Sequence, residues 1–188
     1  MAAKNGFVQG YASSEIDERV EIIFKNFENF IDLVDMFEDN ICDQITEEKR
    51  FNRRAEIGEC GVRVQTSRKS DPTFSQASNH FDSIVDIRRG NLDKLLEYTD
   101  DAEGHRDEIE TLELMRRDYT TVTSAMSVLS PKDRTELKDV LNKETAIVDI
   151  IESTGNLYES VKSRLYRNRR KVKIQAKELI EMRMGKAA

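Results

Sequence analysis

Tryptophan is absent from this 188-residue chain, proline and cysteine each occur twice, and glycine only eight times. So little turn punctuation argues against an all-β fold, which needs Gly or Pro signals between many short strands. Glu, Lys, Arg and Leu are abundant instead, a composition that favours long helices. No apolar run approaches the length of a membrane-spanning helix, so no membrane partner is expected. The opening MAAKNGFVQGYASSE has no basic start followed by an apolar stretch, which speaks against a secretory signal and for a cytoplasmic protein with reduced thiols. Cys42 and Cys60 have no CxxC or CxxH neighbour, so zinc is not expected, while a disulfide between them stays open.

Catalytic signatures are missing too. There is no Gly-rich phosphate loop and no nucleophile elbow. His80 and His105 stand alone, without a metal-ligand partner one helical turn away, and read as surface or capping residues. The acids Asp100, Asp101, Glu103, Asp107 and Glu108 read as solvated helix ends. No catalytic residue, metal site or cofactor is expected, and the protein is not read as an enzyme.

Charge is present but polarised. Residues 158–188 hold ten Lys or Arg against three acids, a net +7, while the chain as a whole carries −6. The rest of the chain is therefore at −13, an acidic body with a basic end.

Hydrophobic spacing organises the body. Val20, Phe24, Phe27, Ile31, Val34, Ile41 and Ile45 form a heptad-like stripe, interrupted where Glu38 takes an apolar position. With Ser13 or Ser14 as cap, one long helix from about Ser13 to Ala55 is expected, after a disordered stretch over 1–12. GECGVRVQTSRKSDPT marks a loop over about 58–75. A second helix carries Phe81, Ile84, Val85, Leu92, Leu95 and Leu96, weakened at Gly90. A third follows a turn near Asp100–Gly104 and carries Ile109, Leu112, Met115, Tyr119, Val122 and Met126. The narrow apolar faces suit a bundle or coiled-coil module over 13–128, closed within the chain or by a second copy.

The remainder, 129–188, reads as a separate unit. Ser130 is a good helix cap, Pro131 occupies the tolerated first helical position, and Asp133 is the acid of the first turn. Leu137, Val140 and Leu141 give that helix an apolar face. A short helix over about Thr145–Ser153 buries Ile147, Ile150 and Ile151, and Gly155 supplies a tight turn. The last helix starts near Leu157 or Tyr158 and extends to about Met182. Val161, Leu165, Val172 and Leu179 face inward, and seven cations without an acid lie between Val161 and Lys173.

Two short helices, a glycine turn and a basic third helix make a helix-turn-helix pattern. Its sequence also resembles a known family. SVKSRLYRNRRKV (160–172) resembles the TVKSRLHRARKKL signature of the recognition helix in sigma-factor region 4. LSPKDRTELKDVL (129–141) resembles that region's LP-x-x-x-R-x-x-x-L opening, and Ile150, Gly155 and Val161 fall on matching positions. The resemblance covers about a quarter of the chain. The chain departs from the family at Ile151, Thr154 and Asn156, where Ala, Leu and Ile are usual, which bears on turn geometry and base preference. The promoter-melting region of a complete sigma factor, with its exposed aromatics including Trp, has no counterpart. The architecture instead resembles phage late-gene regulators of the ArpU and RinA kind, and GVRVQTSRKSDPT (61–73) resembles a segment of such proteins.

An all-α protein is therefore expected: an N-terminal long-helix bundle or coiled-coil module, then a sigma-region-4-like helix-turn-helix domain without a wing. The resemblance implies a phage or prophage transcription regulator binding double-stranded promoter DNA, and the narrow-faced N-terminal part is expected to form a homodimer or to contact RNA polymerase. Tyr158, Glu159, Lys162 and Ser163, at the start of the third helix, are candidates for base edges. Arg164, Arg167, Arg169, Arg170, Lys171 and Lys173 are candidates for phosphates. Two rival functions stand beside it: a polymerase-binding sigma-like accessory factor, and a phage assembly protein holding nucleic acid without sequence preference.

Overall fold

A computed structural model describes residues 6–57 and 72–185. Among the described residues the chain is helical with no strand, in agreement with an all-α class. In order the helices are α1 (Gly6–Ser13), α2 (Ile16–Lys25), α3 (Phe30–Ile57), α4 (Pro72–Arg89), α5 (Leu92–Leu96), α6 (Ala102–Ala125), α7 (Pro131–Leu141), α8 (Ile147–Thr154) and α9 (Tyr158–Gly185). Most of the expected loop, 58–71, and Cys60 with it, lies outside the described residues, and Pro72–Ser75 already belong to α4. No described helix is long and apolar enough to cross a membrane.

The expected single helix over 13–55 is two, α2 and α3, and α1 precedes them. From Gly6 the N-terminal stretch is α1, not disorder, because Val8 and Tyr11 are fully buried. After α2 the Asn26 side chain donates to the Ile22 carbonyl at 2.8 Å, and a single 3-10 turn (Phe27–Asn29) follows. Side-chain competition of this kind favours helix ends over helix interiors. The turn resets the helical phase, so Phe30 rather than Ile31 enters the core.

Compactness divides the chain into residues 34–113 and a unit made of 1–33 with 114–188. This differs from a division at 128/129, because α9 packs on α2 as well as on α7 and α8.

In the mid-chain unit (34–113), Val34, Ile41, Cys42, Ile45, Ile87, Leu92, Leu95, Leu96, Ile109 and Leu112 are buried. Glu38 sits among them at 3% exposure. A charge so placed needs a partner, and Arg88 of α4 supplies it at 2.7 Å while also reaching Asp35. His80 lies 3.7 Å from Asp43, so α4 runs antiparallel to α3. His105, expected in a surface or capping role, is buried in the first turn of α6, with its ring Nε2 3.1 Å from the Glu48 carboxylate.

In the terminal unit (1–33, 114–188), aromatic packing joins the 3-10 turn and the start of α3 to α6. The Phe30 and Tyr119 rings stack at 5.6 Å, and Phe27 lies 5.3 Å from Tyr119. Asp118, fully buried on α6, collects three donors: Tyr11 Oη at 2.9 Å, Arg19 Nε at 2.9 Å and Arg183 Nη2 at 2.5 Å. One carboxylate thus ties together α1, α2, α6 and α9. Burial first, then the Asp118 charge, pushes the Tyr11 phenol far above its ordinary range, so it remains a donor.

Candidate nucleic-acid interface

Local chemistry sets the boundaries of α7, α8 and α9. The Ser130 hydroxyl accepts from the Asp133 amide at 3.2 Å and donates to the Asp133 carboxylate at 2.7 Å, with Pro131 opening α7. That hydrogen bond first, with the Arg164 charge adding to it, holds the Asp133 carboxyl below the usual carboxylate range. The Arg134 guanidinium reaches back to the carbonyls of Met126, Ser127 and Leu129, fixing how the chain enters α7. Asp149 accepts from the Ala146 amide at 2.8 Å and closes the first turn of α8. Gly155 ends α8 at φ +66°, donating to the Ile151 carbonyl at 2.8 Å. A side chain with a Cβ is strained there, which is why glycine stands at this turn.

Ile150, Val161 and Leu165 form a small buried cluster, flanked by Val140, Ile147 and Ile151. The buried positions continue along α9 as Asn168, Val172, Ala176 and Ile180. Their spacing of three and four residues defines one face. Beyond the cluster that face meets α2, antiparallel to α9: Lys173 pairs with Glu21, and Lys177 with Asp17 at 2.6 Å. The Arg169 guanidinium and the Lys173 ammonium lie over the Phe24 ring at 5.1 and 5.3 Å.

The cations of α9 therefore divide into two sets. Arg164 bonds Glu136 at 2.5 Å and lies 3.9 Å from Asp133. Arg164, Arg169 and Lys173, read from the sequence as candidates for phosphates with some of the arginines expected to pair with acids of the bundle, are half-buried and engaged by groups of their own chain. Lys162, Arg167, Arg170 and Lys171 are exposed, and among the described residues no carboxylate pairs with them. Arg167 donates to the Ser163 carbonyl at 3.2 Å, and Lys162 lies over the Tyr158 ring at 5.6 Å.

Ser163, Arg167 and Arg170 share the face of α9 opposite its buried residues, with Lys162 and Lys171 on either side. From Lys162 to Lys171 this surface is about 14 Å long at about 1.5 Å rise per residue, comparable with a major groove about 12 Å wide. Tyr158 and Glu159 are exposed in the first turn. Leu157, at the expected start of the helix, is exposed at 78%, and Tyr166, which escaped the sequence reading, at 68%. The position of Tyr166, four residues from both Lys162 and Arg170, was the available signal. No group of side chains suited to a metal ion occurs among the described residues.

No family model, no curated protein and no solved structure matches the chain.

Proposed function

We propose that the protein is a DNA-binding transcription regulator, phage- or prophage-encoded, that sets α9 against promoter DNA as a sigma-region-4-like helix-turn-helix. The observation carrying this reading is the set of unpaired cations on α9. Of the other α9 cations from Val161 to Lys173, Arg164 and Lys173 pair with the chain's own carboxylates, and Arg169 is half-buried over the Phe24 ring. Lys162, Arg167, Arg170 and Lys171 are exposed on the side of the helix away from its buried residues, with Lys171 close enough to Asp133 for its charge to act there. Exposed cations of this kind gain counterion-release energy on a duplex. Lys162 and Ser163, with Tyr158 and Glu159, occupy the amino-terminal turns that present side chains to base edges in this motif.

Arg167, Arg170 and Lys171 take the phosphates. Arg164, Arg169 and Lys173 hold α9 in place instead. One such helix gives few contacts, so a homodimer engaging two half-sites fits the function best.

Competition tests the reading. Labelled promoter duplex should stay bound in a large excess of random duplex, and Lys162→Ala with Ser163→Ala should remove that preference while residual salt-sensitive binding persists. Equal affinity for every sequence would favour an assembly protein. A stable complex with core RNA polymerase and no binding to duplex would favour the accessory factor.

A further inference from the structure

The mid-chain unit holds a second concentration of positive charge, unrelated to α9. Over 34–113 the sequence has 20 Asp and Glu against 11 Lys and Arg, a net −9. Within that acidic unit, Lys49, Arg50 and Arg53 of α3 and Lys94 of α5 line one groove of about 380 Å3. They are not arranged as ion pairs. The Lys49 ammonium donates to the Lys94 carbonyl at 3.3 Å rather than to a carboxylate. Burial first, then the charges of Arg53 and Lys94, lower the pKa of Lys49 against the opposing effect of Glu97. Arg50 and Arg53 are exposed and without a carboxylate partner among the described residues. Like charges gathered in this way repel one another while the groove is empty, and an anion entering it relieves that repulsion.

The opposite wall comes from α4 and differs in character. Asp82 and Asp86 line it with Asn79 and Ser83. Among the described residues the Asp86 carboxylate accepts one long bond, 3.4 Å, from the Asn91 side chain. One wall thus offers donors to an anion, and the other offers acceptors to hydroxyl or amino groups. The volume lies within the range of about 300–1,000 Å3 usual for small-molecule sites. A duplex is a poor occupant, because the acids covering the rest of this unit repel a long polyanion.

We propose that this groove binds a small phosphorylated molecule of nucleotide size, its phosphate against Lys49, Arg50 and Arg53 and its hydroxyl or amino donors toward Asp82 and Asp86. The shared chemistry fits a nucleoside monophosphate or a sugar phosphate, and neither depends on α9 binding DNA.

The test is a titration of the full chain with AMP, a hexose phosphate, inorganic phosphate and adenosine, followed by calorimetry and by amide chemical shifts of Asn79, Ser83 and Lys94. AMP or the hexose phosphate should saturate at or below about 1 mM, with adenosine at least about tenfold weaker. Arg50→Gln with Arg53→Gln, checked for an unchanged melting temperature, should weaken binding by about tenfold or more. Asp82→Asn should weaken the organic phosphates and leave inorganic phosphate equal or tighter. Absence of saturation by about 10 mM, or binding indifferent to Arg50 and Arg53, would overturn the proposal. So would a duplex that binds through these arginines in preference to AMP. Loss of DNA binding at α9 alone would leave it standing.

Discussion

Replacing Arg167 and Arg170 by Gln removes two of the four open cations on α9, and the effect can be worked out from counterion release. Each phosphate neutralised contributes about −0.9 to the slope of log affinity against log salt. The three phosphate contacts of Arg167, Arg170 and Lys171 therefore give a slope of about −2.7 per docked helix, a loss of about 40-fold in affinity between about 50 and 200 mM salt. The double variant keeps one of the three and should fall to a slope of about −0.9, a loss of only about 3.5-fold over the same range. Lys173→Gln is the matched control, since its ammonium is held by Glu21 and lies over Phe24. It removes one formal charge from the same helix, as Arg170→Gln alone does, and should leave the slope unchanged. Fluorescence anisotropy of a labelled duplex, titrated at five or six salt concentrations, reads both slopes. Equal reductions from Arg170→Gln and Lys173→Gln would refute the division of α9 into open and engaged cations.

Three further outcomes are expected, each independent of DNA. Asp118→Asn leaves Arg19 and Arg183 facing a buried site without a counter-charge. It should cost about 3–5 kcal/mol in urea denaturation, because removing one partner strands the others. Gly155→Ala forces a Cβ into the left-handed region at φ +66°. It should cost about 1–2 kcal/mol by the same measurement. The Cys42 thiol is pushed up from 9.0 to about 12 by burial and then by the Glu38 charge. A raised thiol pKa adds stability that is fully present below the ordinary value and is lost as pH climbs toward the folded one. In a Cys60→Ser variant, Ellman's reagent should therefore react slowly near neutral pH until denaturant opens the unit, and chemical stability should decline above about pH 9.

The helix starts and the turn over 129–158 were legible in the sequence because their determinants are local. Ser130, Pro131 and Asp133 act within one turn of each other, and the conformation at Gly155 depends on a single residue. The break after α2 was not legible. Val20, Phe24 and Phe27 keep helical spacing through it, and only Asn26 marks the interruption. Buried acids were hidden for a different reason. Asp118 lies three residues from Met115 and four from Val122, inside the apolar stripe of α6, where Tyr119 was assigned the buried position. Its partners Tyr11, Arg19 and Arg183 are far off in sequence, so no periodicity connects them. Glu38 did stand out as an interruption, yet nothing nearby named Arg88 as its partner.

The same limit explains the candidate interface. A run of seven cations says that charge is present on α9, but its division depends on which acids pack alongside. Glu136 is 28 residues from Arg164, and Glu21 is 152 residues from Lys173. Tertiary packing, not composition, decides which guanidinium groups remain open to a partner.

The most direct measurement is amide chemical-shift mapping of the full-length protein as a short duplex is added at low salt. The account predicts that shifts concentrate on the exposed side of α9, at Lys162, Ser163, Arg167, Arg170 and Lys171, with Lys173 and Lys177 little changed. Undisturbed spectra, or shifts confined to α3 and α4, would contradict it.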